Sequence, residues 1–165
     1  GRVDVLTGTL GKALGGGGGG FVAGAHEVVE TLRQVSRPYI FTNAMAPPLA
    51  AAALTAIRIA RGRPELRARL AANTAWLRGA LHDLGYEVLP GEHPIIPVML
   101  GEARAAQDLA RALDRRGIYV AGFFYPVVPQ GKARIRTQMS AAHSENDVRR
   151  AIAAFEEVGR ELGVI

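Results

Sequence analysis

Thr7-Gly8-Thr9-Leu10-Gly11-Lys12-Ala13-Leu14-Gly15-Gly16 encloses one of the chain's two lysines in glycine, and the glycine then continues unbroken to Gly20. Glycine on either side of a lysine lets the backbone come close to a bound ligand. A lysine amine can form an imine with an aldehyde when its surroundings lower its pKa. On spacing alone an ordinary solvated loop lysine is the better reading. Two nucleotide readings fail on the residues. A P-loop needs G-x-x-x-x-G-K followed by Ser or Thr, but Leu6 takes the first glycine position and Ala13 the hydroxyl position. Six consecutive glycines satisfy G-x-G-x-x-G trivially, and no Asp or Glu falls between Glu30 and Glu65 to hold a ribose.

Working outward, residues 2–7 alternate polar and apolar types as a short strand does, with no Met ahead of them. A chain that opens inside an element is expected to continue N-terminally and supply neighbouring strands. Residues 21–24 predict a returning strand. Val28, Val29, Leu32 and Val35 predict a helix over 26–36 that stops at Arg37-Pro38, and 39–43 reads as an extended link. Helices follow over 47–60 and 64–84, the second with Leu66, Leu70, Leu77, Leu81 and Leu84 on one face and Gly85 as its cap. Beyond residue 86 strands (86–89, 95–100, 119–125, 133–139) alternate with a helix over 103–116 closed by Gly117. Ser144 with Asp147 then opens a last helix whose buried stripe is Val148, Ile152, Phe155, Val158 and Leu162. The whole is an α/β chain, with the domain change placed among residues 44–60: a first part over 1–50 and an α+β part over 51–165.

With 48% hydrophobic and 21% charged residues in a length of 165, the chain can offset its ordering entropy in one or two small folding units, which argues against disorder. No apolar, uncharged run reaches about 18 residues and no signal-peptide pattern opens the chain, so a cytoplasmic protein without membrane contact is the expectation. The absence of cysteine removes disulfides, thiolate metal sites and cysteine nucleophiles together. His26, His82, His93 and His143 have no metal-ligand spacing, and His143 reads as structural. A net charge of +5 raises nucleic acid as a partner, but the cations are 18 Arg against 2 Lys. That skew is better explained by a GC-rich coding background than by phosphate binding. The densest group (Arg58, Arg61, Arg63, Arg67, Arg69) lies on helices without aromatic partners for bases, which reads as a solvated face.

The loop at 7–16 resembles the lysine loop of the α-oxoamine synthases, pyridoxal-phosphate enzymes of the aspartate-aminotransferase fold (fold type I). Ser36-Arg37-Pro38-Tyr39-Ile40-Phe41-Thr42-Asn43 is similar to another segment of that family. So is the run from Gly122-Phe123-Phe124-Tyr125-Pro126-Val127-Val128-Pro129 through Lys132-Ala133-Arg134-Ile135-Arg136-Thr137-Gln138-Met139-Ser140-Ala141-Ala142-His143. Together with Ile95-Ile96-Pro97-Val98-Met99-Leu100 these narrow the resemblance to the branch that joins glycine to acetyl-CoA. The likeness covers essentially the whole chain, which corresponds to the C-terminal part of such an enzyme.

The resemblance implies the end of a large cofactor-binding domain followed by a small domain, with pyridoxal 5'-phosphate as cofactor. It makes Lys12 the Schiff-base lysine and the base that takes a proton from the Cα of glycine. Thr9 would give its hydroxyl to the cofactor phosphate, while Thr42 and Asn43 would reach the phosphate of the other subunit in a homodimer with shared sites. Arg136 would hold the glycine carboxylate, a task that suits its planar fork. CoA and 2-amino-3-oxobutyrate would be the products, in threonine and glycine metabolism. The remaining cofactor ligands would lie in the N-terminal portion of the same enzyme, so this part alone is expected to be inactive. The six-glycine run departs from the family, which usually interrupts it with Ala and Ser. Three alternatives stay open: Arg134 in place of Arg136; a sister synthase of 8-amino-7-oxononanoate or 5-aminolevulinate; and, in another class, a non-catalytic basic module that binds polyanions.

Overall fold

Val5–Thr9 (β1) and Gly20–Gly24 (β2) pair antiparallel, Val5 opposite Gly24 and Thr9 opposite Gly20, in a computed structural model that describes residues 3–14 and 17–165. Glycine makes the pairing close: a Cβ on Gly8 would stand 2.5 Å from the Phe21 ring, and one on Gly20 2.8 Å from the Gly8 carbonyl oxygen. The strand expected over 2–7 is observed over Val5–Thr9; Arg2 is outside the described residues. His26–Val35 (α1) matches its apolar spacing. Arg37–Ile40 (α2) is a helical turn where extended chain was expected, because Pro38 sits in the first turn, where its missing N–H would have no helical partner in any case. Pro47–Gly62 (α3) runs two residues beyond its expected end.

Backbone contacts divide the chain into two units, Gly1–Pro64 and Glu65–Ile165. The border expected after residue 50 falls inside the continuous helix α3, ahead of that division. Among the described residues of the first unit only Leu10 and Ala53 are buried.

The second unit is built on alternation. Glu87–Val88 (β3), Ile95–Gly101 (β4), Ala121–Phe123 (β5) and Ala133–Gln138 (β6) form one antiparallel sheet in the order β3-β4-β6-β5. In β6, Ala133, Ile135 and Thr137 are buried while Arg134, Arg136 and Gln138 occupy the other face, as the two-residue period of a strand requires. Ile96 and Val98 of β4 join the buried face. Against it pack Leu77 and Leu81 of Pro64–Asp83 (α4), Leu109 and Leu113 of Ala103–Arg115 (α5), and Val148, Phe155 and Val158 of Glu145–Glu161 (α6). Both β3 and β5 are shorter than the apolar runs that announced them, and Leu162 is 38% exposed rather than part of the stripe.

Local signals close the helices where the sequence puts them. The Ser144 hydroxyl accepts the Asp147 N–H at 3.2 Å while the Asp147 carboxylate accepts the Ser144 N–H at 2.9 Å, a reciprocal capping box. After α5, Gly117 N–H donates to the Asp114 carbonyl and Ile118 N–H to that of Leu113, and Gly85 and Tyr86 close α4 in the same way. Arg116 then ties the end of α5 to α6 through Glu157 at 2.7 Å and Glu161 at 2.8 Å. The Tyr86 ring meets Phe155 edge-on at 5.6 Å, its hydroxyl donates to the Phe155 carbonyl at 2.8 Å, and burial pushes its pKa up to about 12. Among the described residues no helix is long and apolar enough to cross a membrane, and no cluster of His, Asp and Glu is arranged to hold a metal ion.

Candidate active site

The lysine loop belongs to the first unit. Leu10, buried at the end of β1, donates its N–H to the Gly19 carbonyl at 2.9 Å and so closes the loop at its base. Beyond that bond the backbone folds back on itself, since a Cβ on Gly11 would lie 3.4 Å from the Cα of Gly18. Gly17 and Gly19 take φ of +81° and +83°, a region costly for any other residue. Met45 and Leu49 line the loop from outside: a Cβ on Gly19 would stand 2.5 Å from the Met45 Cε, and one on Gly17 3.3 Å from a Leu49 methyl. Gly15 and Gly16 lie outside the described residues.

Lys12 stands exposed on the turn of this loop and makes no hydrogen bond or ion pair among the described residues. Thr9, three residues before it, accepts the Gly11 N–H on its hydroxyl oxygen at 3.4 Å, which leaves the hydroxyl proton free to donate elsewhere. Thr42 and Asn43 are exposed in the stretch leading into α3. The Thr42 hydroxyl donates to the Asn43 carbonyl at 3.4 Å, a long bond it must surrender to meet a phosphate. An exposed amine and a free hydroxyl proton on one short glycine-rich loop fit an aldehyde that carries an anionic group.

Arg136 belongs to the second unit. It stands on β6 opposite Pro97 on one side and Ala121 on the other, with its guanidinium 4.3 Å from the centroid of the Phe123 ring. Arg134 shares its face of the sheet, directly opposite Phe123, without such a ring contact among the described residues. Arg136 also borders a cleft of about 580 Å³, lined by Leu77, Val120, Met139 and Phe155 and rimmed by His143 and Arg150. The one carboxylate on that rim, Asp147, is held below the usual carboxylate range by hydrogen bonds from the Ser144 backbone N–H and hydroxyl.

His143, read from sequence as structural, accepts the Ser140 N–H on Nδ1 at 3.3 Å, and its carbonyl accepts the Asn73 amide at 3.0 Å. Its position holds the turn that follows β6. Phe123 went unread as a partner of Arg136. The only available signal was an aromatic residue in the neighbouring strand, and its relevance depends on a strand register that the sequence does not state.

The family described as aminotransferase class I and II matches residues 1–155. The 2-amino-3-ketobutyrate coenzyme A ligase of Escherichia coli K12 is 54% identical over 165 residues, covering 100% of this chain and 42% of that protein. The 8-amino-7-oxononanoate synthase of Symbiobacterium thermophilum is 44% identical over 165 residues, with the same two coverages of 100% and 42%. A high-resolution structure of serine palmitoyltransferase with its PLP internal aldimine superposes with a TM-score of 0.93 at 33% identity, covering 100% of this chain and 42% of that one. The chain thus spans 42% of the length of the curated relatives named here.

Proposed function

The chain belongs to the aminotransferase class I and II family, and from that membership we propose that it is the C-terminal part of a pyridoxal-phosphate-dependent glycine C-acetyltransferase. The full enzyme would join glycine to acetyl-CoA, giving 2-amino-3-oxobutyrate and CoA. The observation that carries the reading is Lys12 itself: an exposed amine on the turn of a glycine loop, in a chain more than half identical throughout to a 2-amino-3-ketobutyrate coenzyme A ligase. The lower identity to an 8-amino-7-oxononanoate synthase favours glycine and acetyl-CoA over the sister chemistry.

Pyridoxal 5'-phosphate, when bound, supplies an aldehyde for the lysine and an electron sink beside the amino acid Cα. The chain's own residues supply attachment, orientation and a proton acceptor. Lys12 anchors the cofactor and its amine accepts the proton from glycine Cα. Thr9 donates its free hydroxyl proton to the phosphate. Arg136 would receive the glycine carboxylate through two parallel charge-assisted bonds, which suits its planar fork.

We read the full protein as a cytoplasmic homodimer in which Thr42 and Asn43 serve the partner's phosphate. A specific observation motivates testing a rival arrangement, in which Thr42 serves its own subunit: Met45, three residues after Thr42, lies against Gly19 of its own lysine loop. Mixed dimers of Lys12→Ala and a bulky Thr42 variant separate the two. Activity returning to about a quarter of wild type supports shared sites, since random pairing makes half the dimers mixed with one good site of two. Inactive mixed dimers assign Thr42 to its own subunit.

Borohydride reduction of the loaded full-length protein, followed by peptide mass spectrometry, tests the central assignment. A pyridoxyl group on Lys12 is expected; finding it on Lys132 overturns the reading. Arg136→Lys should weaken glycine far more than acetyl-CoA, and the reverse result for Arg134→Lys would move the carboxylate site by two residues.

A further inference from the structure

Among the described residues Arg136 has no acidic partner, yet its guanidinium is not loose, because it lies 4.3 Å from the centroid of the Phe123 ring. The strand register explains how. Arg136 stands directly opposite Ala121, whose single methyl leaves space beside it, and Phe123 is the next residue on the same face of β5. A guanidinium that leans diagonally over Ala121 arrives on the ring. Arg134, directly opposite Phe123, has no such offset.

We propose that Phe123 is a positioning residue for the carboxylate receptor: its ring holds the Arg136 guanidinium in the orientation that receives the glycine carboxylate. The proposal rests on reading Arg136 as that receptor. The two contacts use different directions of one group. An aromatic ring attracts a flat face of the guanidinium through its quadrupole, whereas a carboxylate accepts N–H bonds in the guanidinium plane, so neither interferes with the other. A long side chain already resting on a ring loses less freedom when the ligand arrives, and that saving appears in affinity for the ligand's carboxylate alone. The aromatic face also distinguishes Arg136 from Arg134 on physical grounds that the pattern of β6 does not contain.

The test uses the full-length, cofactor-loaded protein with Phe123→Leu, which keeps an apolar side chain without the quadrupole, and Phe123→Tyr, which keeps the ring. Glycine affinity is read both by calorimetric titration and as KM, alongside the KM for acetyl-CoA and the melting temperature. Phe123→Leu should weaken glycine roughly two- to fivefold, the size of a partly exposed cation–π contact. The acetyl-CoA KM should hold, and Phe123→Tyr should restore glycine affinity. If Phe123→Leu leaves glycine affinity unchanged while Arg136→Lys loses it, the assignment of Phe123 is overturned and that of Arg136 survives. If glycine and acetyl-CoA weaken together with a fall in melting temperature, Phe123 supports the fold and not the receptor. If neither variant alters glycine affinity, the reading of Arg136 falls as well.

Discussion

Glu65–Ile165 hides Leu81, Ile96, Ile135 and Phe155 completely, whereas Gly1–Pro64 leaves Val5, Leu6, Val35 and Phe41 between 42% and 79% exposed. The two units also hold their proposed site residues by different means. Arg136 is placed by a sheet whose opposite face is sealed by three helices, so its position follows from packing. Lys12 is placed by backbone geometry: a hairpin of close-set glycines, one hydrogen bond across the loop base, and residues at positive φ. The proposed binding residue thus sits on a core, while the proposed reactive one is positioned with almost no core beneath it.

The comparison is broken most directly by cutting the chain between Arg63 and Pro64. The piece from 64 to 165 should melt in one cooperative transition by circular dichroism, because it carries its own buried cluster. The piece from 1 to 63 should show none. A cooperative transition in the short piece would mean that its exposed apolar residues find partners within it.

Point substitutions sharpen the same contrast. Phe155→Ala should cost about 3–5 kcal/mol in urea unfolding, since its side chain is fully buried in the core cluster. Leu6→Ala should cost under about 0.5 kcal/mol, because the side chain it removes is 56% exposed. Comparable costs at the two positions would contradict the contrast in burial.

A dependence on pH, smaller than the cost of emptying the core, is confined to the second unit. Tyr86 loses its proton at about pH 10 in an unfolded chain and at about pH 12 in the fold. The unfolded chain therefore releases its proton first as the pH rises. Stability is intact below about pH 10 and declines between about 10 and 12. Tyr86→Phe should remove that slope while costing about 1 kcal/mol at neutral pH for the lost hydrogen bond to Phe155. Unfolding midpoints of the 64–165 piece across that range provide the measurement.

What was legible in the sequence was whatever is decided within a few residues. The Ser144–Asp147 cap, the glycine stops at Gly85 and Gly117, and the alternation of Arg134, Arg136 and Gln138 with buried neighbours all depend on local spacing. The lysine loop was legible for the same reason, as its glycines act on adjoining backbone. What was not legible depends on distant chain. Met45 and Leu49 touch the loop from more than 20 residues away, and Phe123 meets Arg136 only through the register of β5 on β6. The turn at Arg37–Ile40 was misread because the usual bias against helix before proline weakens in a helix's opening turn.

The glycine run is uniform as text and graded as a mutational target. Gly20 is pressed against the Gly8 carbonyl, and Gly17 and Gly19 hold backbone angles that resist a side chain. Gly18 meets neither constraint, for a Cβ there would find only a Leu49 methyl at 3.7 Å. Random substitution should therefore drift through position 18 almost unseen by the fold while being purged on both sides of it. Among its described residues 17–20, a repeat of identical residues then conceals one tolerant position beside three under steric selection.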